Sequence, residues 1–186
     1  MHDMTRGPIA HSSTYVLYLD FDGVLHHEAV YVSPKRGIYI DPKVAPGAML
    51  FEWAPLLIEA LDPHPEVRIV LSTSWCRQPG YSRAKQRLPF PLRERVIGGT
   101  FHRRVHGADQ WGRQTFAETT RALQILADVS RRKPKDWLAI DDDVDGWPIE
   151  YLDRLVPCDG SLGLSSPATL QTLKRKLDTM MKGGRA

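Results

Sequence analysis

Two carboxylates one residue apart, in the run Asp20-Phe21-Asp22-Gly23-Val24-Leu25, are the most chemically specific feature of the sequence. They follow a short apolar stretch, Tyr15-Val16-Leu17-Tyr18-Leu19, that reads as a strand buried on both faces. Alternate side chains of extended backbone share a side, so both carboxylates can face one small volume. Gly23 then lets the chain turn sharply. Like charges held this close repel, and a hard cation with oxygen ligands, usually Mg2+, relieves them. Asp141 and Asp142 follow another apolar run, Trp137-Leu138-Ala139-Ile140, and can supply further ligands. A third run, Val67-Arg68-Ile69-Val70-Leu71, stops at the hydroxyl residues Ser72-Thr73-Ser74.

Three strands that each end in polar, reactive residues imply one functional edge, at the carboxyl ends of a parallel sheet. Weaker strand patterns at Arg95-Val96-Ile97-Gly98 and Leu155-Val156-Pro157-Cys158 would complete that sheet. Leu57, Ile58 and Leu61 fall at helix-face spacing, and Pro55 sets the start of the regular helix near Ala54. A second helix is predicted from about Gln114 to Ser130, and a third after Ser166 as N-cap with Pro167 at its first position. The expectation is an α/β fold, a doubly wound three-layer sandwich around a central parallel sheet, in a single domain over residues 12–182. Two segments break the alternation. Val30-Tyr31-Val32 and Gly37-Ile38-Tyr39-Ile40 flank Ser33-Pro34-Lys35-Arg36 and predict a hairpin flap at about 24–41. Residues 76–113, rich in Pro and Gly, read as an irregular insert, and no large cap domain fits between the motifs.

Composition narrows the class. With 186 residues, 42% hydrophobic and 25% charged, the chain has the profile of a soluble globular protein. No apolar run approaches the roughly 18 residues of a membrane span, and Met1 to His11 has no signal-peptide core, so a cytoplasmic location is expected. Cys76 and Cys158 lack the partners of a disulfide framework or a zinc site. The net charge of +3 is unevenly spread, because Cys76 to Arg113 carries nine Lys or Arg against Glu94 and Asp109. Such an island suits a polyanion such as nucleic acid, the phosphates of a small substrate, or simply solvent. His26 and His27 read as an exposed pair at the base of the flap that could alternatively touch substrate, and Trp75 and Trp111 as packing residues that could alternatively stack on a base.

Asp20-x-Asp22-Gly23-Val24-Leu25, then Ser72 after a second strand, then Asp141-Asp142 after a third, resemble in order the motifs of haloacid dehalogenase superfamily phosphatases. Leu71-Ser72-Thr73-Ser74-Trp75 and Trp137-Leu138-Ala139-Ile140-Asp141-Asp142-Asp143 resemble more narrowly the branch found in multi-domain Swiss Army Knife RNA repair proteins. The resemblance covers about Tyr15 to Leu177. It implies Asp20 as the nucleophile that forms a phospho-aspartate, and Asp22 as acid and base. It implies Mg2+ held by Asp20, the backbone carbonyl of Asp22, and Asp141 or Asp142. Ser72, with Thr73 beside it, would hold the phosphoryl group. The family's cation stands at the start of the helix before the last acidic motif, a place that Arg113 fits, with Arg121, Lys133 and Lys135 as fallbacks. In the superfamily an open site tends to go with macromolecular substrates or with a cap supplied by a partner, and the basic island then favours phosphorylated RNA or DNA ends. The rival readings are a small-molecule, nucleotide-type phosphatase and an inactive nucleic-acid-binding module.

Overall fold

The computed structural model describes residues 14–107 and 109–183; residues 12 and 13 of the expected domain lie outside them. In chain order the elements are β1 (Tyr15–Leu19), β2 (Val30–Ser33), β3 (Gly37–Ile40), α1 (Ala54–Leu61), β4 (Val67–Leu71), α2 (Tyr81–Arg87), α3 (Phe90–Arg95) and β5 (Val96–Gly99). They continue with α4 (Arg103–His106), α5 (Gln110–Glu118), α6 (Arg121–Arg132), β6 (Asp136–Asp141), β7 (Leu155–Pro157) and α7 (Pro167–Gly183).

Five strands form one sheet in the order β5-β4-β1-β6-β7, with every neighbouring pair parallel. The apolar runs form its centre because a strand covered on both faces must be apolar at every position. Period-two alternation then divides their side chains. Leu17, Leu19, Ile69, Leu71, Leu138 and Ile140 join the core beneath α1 and α7, where Leu57, Leu61, Leu173 and Leu177 are fully buried. Val16, Tyr18, Val70 and Ala139 face the opposite way, onto Ala122 and Ile125 of α6. Each fully buried aliphatic of this kind contributes roughly 1.5–3 kcal/mol. The result is the expected three-layer α/β sandwich. Among the described residues, no helix is long and apolar enough to cross a membrane.

β2 and β3 pair antiparallel as a small hairpin, Val30 opposite Ile40 and Ser33 opposite Gly37. Two expectations change. The helix anticipated from about Gln114 to Ser130 is two helices, broken at Thr119-Thr120, whose backbones are extended (ψ 134° and 153°). The Thr120 hydroxyl accepts the Leu123 N–H at 3.4 Å, so it caps α6, as Asp109 caps α5 by accepting from Gly112 at 2.7 Å. The segment after Cys76 is also more regular than anticipated, holding α2, α3 and α4. Helices of four to seven residues leave too few turns for a periodic signal.

Candidate active site

Register brings the polar strand ends together. Leu19 of β1 lies opposite Leu71 of β4 and Ile140 of β6, so the next residue along each strand is Asp20, Ser72 or Asp141. Backbone bonds extend the alignment by one step: the Asp20 N–H donates to Ile140 O at 3.2 Å and the Ser72 N–H to Leu19 O at 2.8 Å. Oxygens of Asp20, Asp141 and Asp142 consequently lie within 4.8 Å of one another. Gly23 makes this approach possible. Its φ is +68°, and a Cβ there would stand 2.2 Å from Asp142 Oδ2.

The cluster is an electrostatic strain that a cation would relieve. Asp20 and Asp141 are buried, and among the described residues Asp20 Oδ1, Asp141 Oδ2 and Ser72 Oγ have no hydrogen-bond partner. Burial raises the Asp20 pKa, against the pull of Arg121, and Asp22 adds to the rise. Burial and then Asp20 push Asp141 well above its ordinary range and Asp142 up to about 7. Three oxygen donors, two of them buried with an unpaired atom, suit a hard divalent ion such as Mg2+. A folded state whose carboxyls bind more protons than the unfolded chain loses stability as pH rises. Without metal, that loss should run from the ordinary carboxyl value of 3.8 to about 7. Because the ion competes with those protons, the gain in melting temperature from Mg2+ over EDTA should be larger at about pH 8 than at about pH 5. An equal gain at both would show that these carboxyls do not titrate in this window.

Asp22 sits beside the cluster but points into a different network. Its Oδ1 accepts from Trp75 Nε1 at 2.9 Å and lies 3.1 Å from His26 Nε2. The Phe51 N–H donates to His26 Nδ1 at 3.2 Å, so Nδ1 is the unprotonated nitrogen and Nε2–H donates to Asp22. Phe51 holds this position with φ at +63°, and the Phe51 and Trp75 rings pack edge-on against the imidazole, with Phe21 edge-on against both of them. His26 is therefore fully buried and not the exposed residue expected, and Trp75 is a buried donor, not a stacking platform. A helical turn after Phe21, with Leu25 N–H donating to Phe21 O at 2.9 Å, carries His26 back over Asp22. The four-residue spacing of Asp22 and His26 was the available signal. With one carboxylate oxygen so held and the side chain 29% exposed, the other oxygen of Asp22 can exchange protons with a bound molecule.

Thr73, also buried, accepts the Trp75 N–H at 3.4 Å and its hydroxyl stands beside Asp20. Arg113 is elsewhere: it is exposed, and its Nη1 donates to Gly107 O at 3.0 Å. The cation at the carboxylates is Arg121, at the first position of α6, with Nη2 3.5 Å from Asp20 Oδ2 and Nε 3.2 Å from Asp141 Oδ2. The second contact is close enough for charge attraction but misaligned for a hydrogen bond, since neither atom counts as satisfied. Burial opposes the charge on Arg121, yet Asp20 and Asp141 hold it protonated, above its ordinary pKa. Asp143 and Asp145 are exposed turn residues; the Asp143 N–H donates to Asp141 Oδ1 at 3.1 Å.

A family model described as the HAD domain in Swiss Army Knife RNA repair proteins matches residues 16–169. No curated protein and no solved structure matches the chain significantly. The family match runs from β1 into the start of α7 and takes in every strand end that meets at this edge; the chain belongs to the HAD domains found in Swiss Army Knife RNA repair proteins.

Proposed function

We propose that the chain is a Mg2+-dependent phosphohydrolase that cleaves phosphate monoesters through a phospho-aspartate on Asp20, with phosphorylated nucleic-acid ends as substrate. One observation carries this reading. A buried carboxylate faces a largely buried arginine and stands at the same sheet edge as a buried hydroxyl, with one oxygen of each unpaired among the described residues. Such a site is complementary to a phosphoryl group and a cation together, and costly when it holds neither.

Asp20, Asp141 and Asp142, with the Asp22 carbonyl, would hold the ion, which when bound neutralises charge on the phosphoryl oxygens. Ser72 Oγ donates to a phosphoryl oxygen, Thr73 supports it, and the Arg121 guanidinium offsets the developing charge. An oxygen of Asp20 forms a bond to phosphorus as the ester P–O bond breaks, and Asp22 gives its proton to the departing oxygen. Asp22 then takes a proton from a water whose oxygen attacks the same phosphorus. The Asp20–phosphorus bond breaks, inorganic phosphate leaves, and both carboxyls return to their starting states. His26 and Trp75 leave Asp22 Oδ2 as the oxygen that carries the proton. The nucleic-acid assignment is supported by the family's occurrence in RNA repair proteins and by the basic segment from Cys76 to Arg113.

The test is phosphate release from 3′- and 5′-phosphorylated oligonucleotides, mononucleotides and p-nitrophenyl phosphate, with Mg2+ and with EDTA. Release is expected only with Mg2+ and fastest from an oligonucleotide end. Preference for a mononucleotide would instead make this a metabolite phosphatase. No release from any substrate, with metal demonstrably bound, would make it a binding module.

A further inference from the structure

The basic segment does not present its charge evenly. Arg95 is satisfied internally, its guanidinium donating to Leu61 O, His64 O and Val67 O at 2.7–3.2 Å and so tying the end of α1 to β4. Lys85 donates to Val96 O at 3.0 Å, and Arg93 lies over the Phe90 ring. Six others, Arg77, Arg83, Arg87, Arg103, Arg104 and Arg113, are exposed, and among the described residues none of them pairs with a carboxylate. All of these but Arg104 line two adjoining clefts that form one groove.

The groove starts at Ser74, two residues along the chain from Ser72 of the candidate site. A cleft of about 820 Å3 opens at Ser74 and Cys76, just past Ser72 and Thr73, and is walled by Val32 of the hairpin and by Arg77, Arg83, Arg103 and Arg113. A second cleft, of about 550 Å3, shares Val32, Gln78, Pro79 and Arg83 with the first and runs on to Arg87. Among the described residues no Asp or Glu lines either cleft, whereas the candidate catalytic edge is strongly acidic. Tyr81 and Phe101, both half-buried, line the first cleft together with four of these arginines.

We propose that this groove binds a single strand of nucleic acid whose terminal phosphate enters the site at Asp20; the inference rests on the phosphatase reading and names how its substrate is held. Exposed guanidinium groups spaced along a track suit successive backbone phosphates, which they can meet with planar, forked hydrogen bonds. Aromatic surface in the same cleft suits base faces, and those faces are free only in an unpaired strand. An acidic peptide would satisfy the charge but make no use of the rings.

The test is fluorescence anisotropy of an unphosphorylated, single-stranded oligonucleotide of about eight bases, in EDTA. Binding should weaken with salt, with a log–log slope of about −2 to −3, since each phosphate neutralised on a single strand contributes about 0.7. Arg83→Ala with Arg87→Ala should weaken binding about tenfold or more at low salt and flatten the slope by roughly 1.4. Arg175→Ala, on exposed α7 surface, should change neither. Unchanged binding by the double variant, equally tight binding of a blunt duplex, or displacement by polyglutamate of matched charge at the same concentration would overturn the proposal. No turnover is read, so failure here is separable from failure of the phosphatase reading, which is decided by Mg2+-dependent release from p-nitrophenyl phosphate.

Discussion

Asp20→Asn should leave a folded protein that releases phosphate at least about 10^3-fold more slowly, and that melts at a higher temperature than the native chain in EDTA. The loss follows from chemistry: an amide oxygen of nearly the same shape has no negative charge with which to form the bond to phosphorus. The gain in stability follows from the site's electrostatics. Asp20 is buried with one oxygen unpaired, and its charge raises the pKa of both Asp141 and Asp142. Removing it relieves two neighbours at once, while Arg121 keeps Asp141 as a partner. A relief of about 1–2 kcal/mol corresponds to roughly 2–8 °C for a chain of this size. The stabilisation by Mg2+ should shrink in the same variant, because one of three ligands has lost its charge. The readouts are phosphate release and paired melts with EDTA and Mg2+. Full activity in a folded Asp20→Asn protein would place the nucleophile elsewhere, and a lower melting temperature in EDTA would mean that the native carboxylate is stabilised by more than the contacts described.

What the sequence disclosed and what it hid divide along physical lines. The central strands were legible because a parallel strand covered on both sides leaves an unbroken apolar run, and Leu19, Leu71 and Ile140 mark where each run stops. The positions of Asp20, Ser72 and Asp141 followed from those stops, since register in a parallel sheet aligns like with like. The cation was hidden by a boundary. The resemblance places the family's cation at the start of the helix before β6, and Arg121 does stand at a helix start, but one apolar pattern spans both α5 and α6, and the Thr120 cap that separates them is a local backbone event. Moving the start from Gln114 to Arg121 moves the expected arginine with it. His26 was hidden differently. A histidine next to a second histidine in a turn reads as exposed; its burial depends on Phe51 and Trp75, which are 25 and 49 positions away along the chain. The same holds for the Trp75 bond to Asp22. Contacts assembled from three separate loops leave no periodic trace, whereas repeating burial on one strand or helix does.

Arg121→Met should cost far more than Arg113→Met, and the cost should depend on pH. Arg121 is only 15% exposed and faces two nearly inaccessible carboxylates, whereas Arg113 is exposed and donates to a single backbone carbonyl. Removing one partner of a buried ion pair typically costs about 3–5 kcal/mol, because the other charge stays behind without compensation. Here the charges left behind have an escape. Burial already raises the pKa of Asp20 and Asp141, and loss of the cation raises both further, so at lower pH they can take up protons and become neutral. The destabilisation should therefore approach the full value near pH 8 in EDTA and diminish toward pH 5, and Mg2+ should restore part of it by supplying the missing positive charge. Activity should follow a different course, falling about 10^2- to 10^3-fold in kcat/KM even with saturating Mg2+, because the guanidinium also offsets charge on the phosphoryl group. Arg121→Lys keeps the charge but not the forked geometry, and should recover more of the stability than of the rate. Arg113→Met should stay within about 0.5 kcal/mol of the native protein. Denaturant titrations of the three variants at the two pH values, with rates on p-nitrophenyl phosphate, separate these expectations. If Arg113→Met loses the rate on that small substrate and Arg121→Met keeps it, the arginine beside Asp20 only balances buried charge, and the phosphoryl group is held from the groove side.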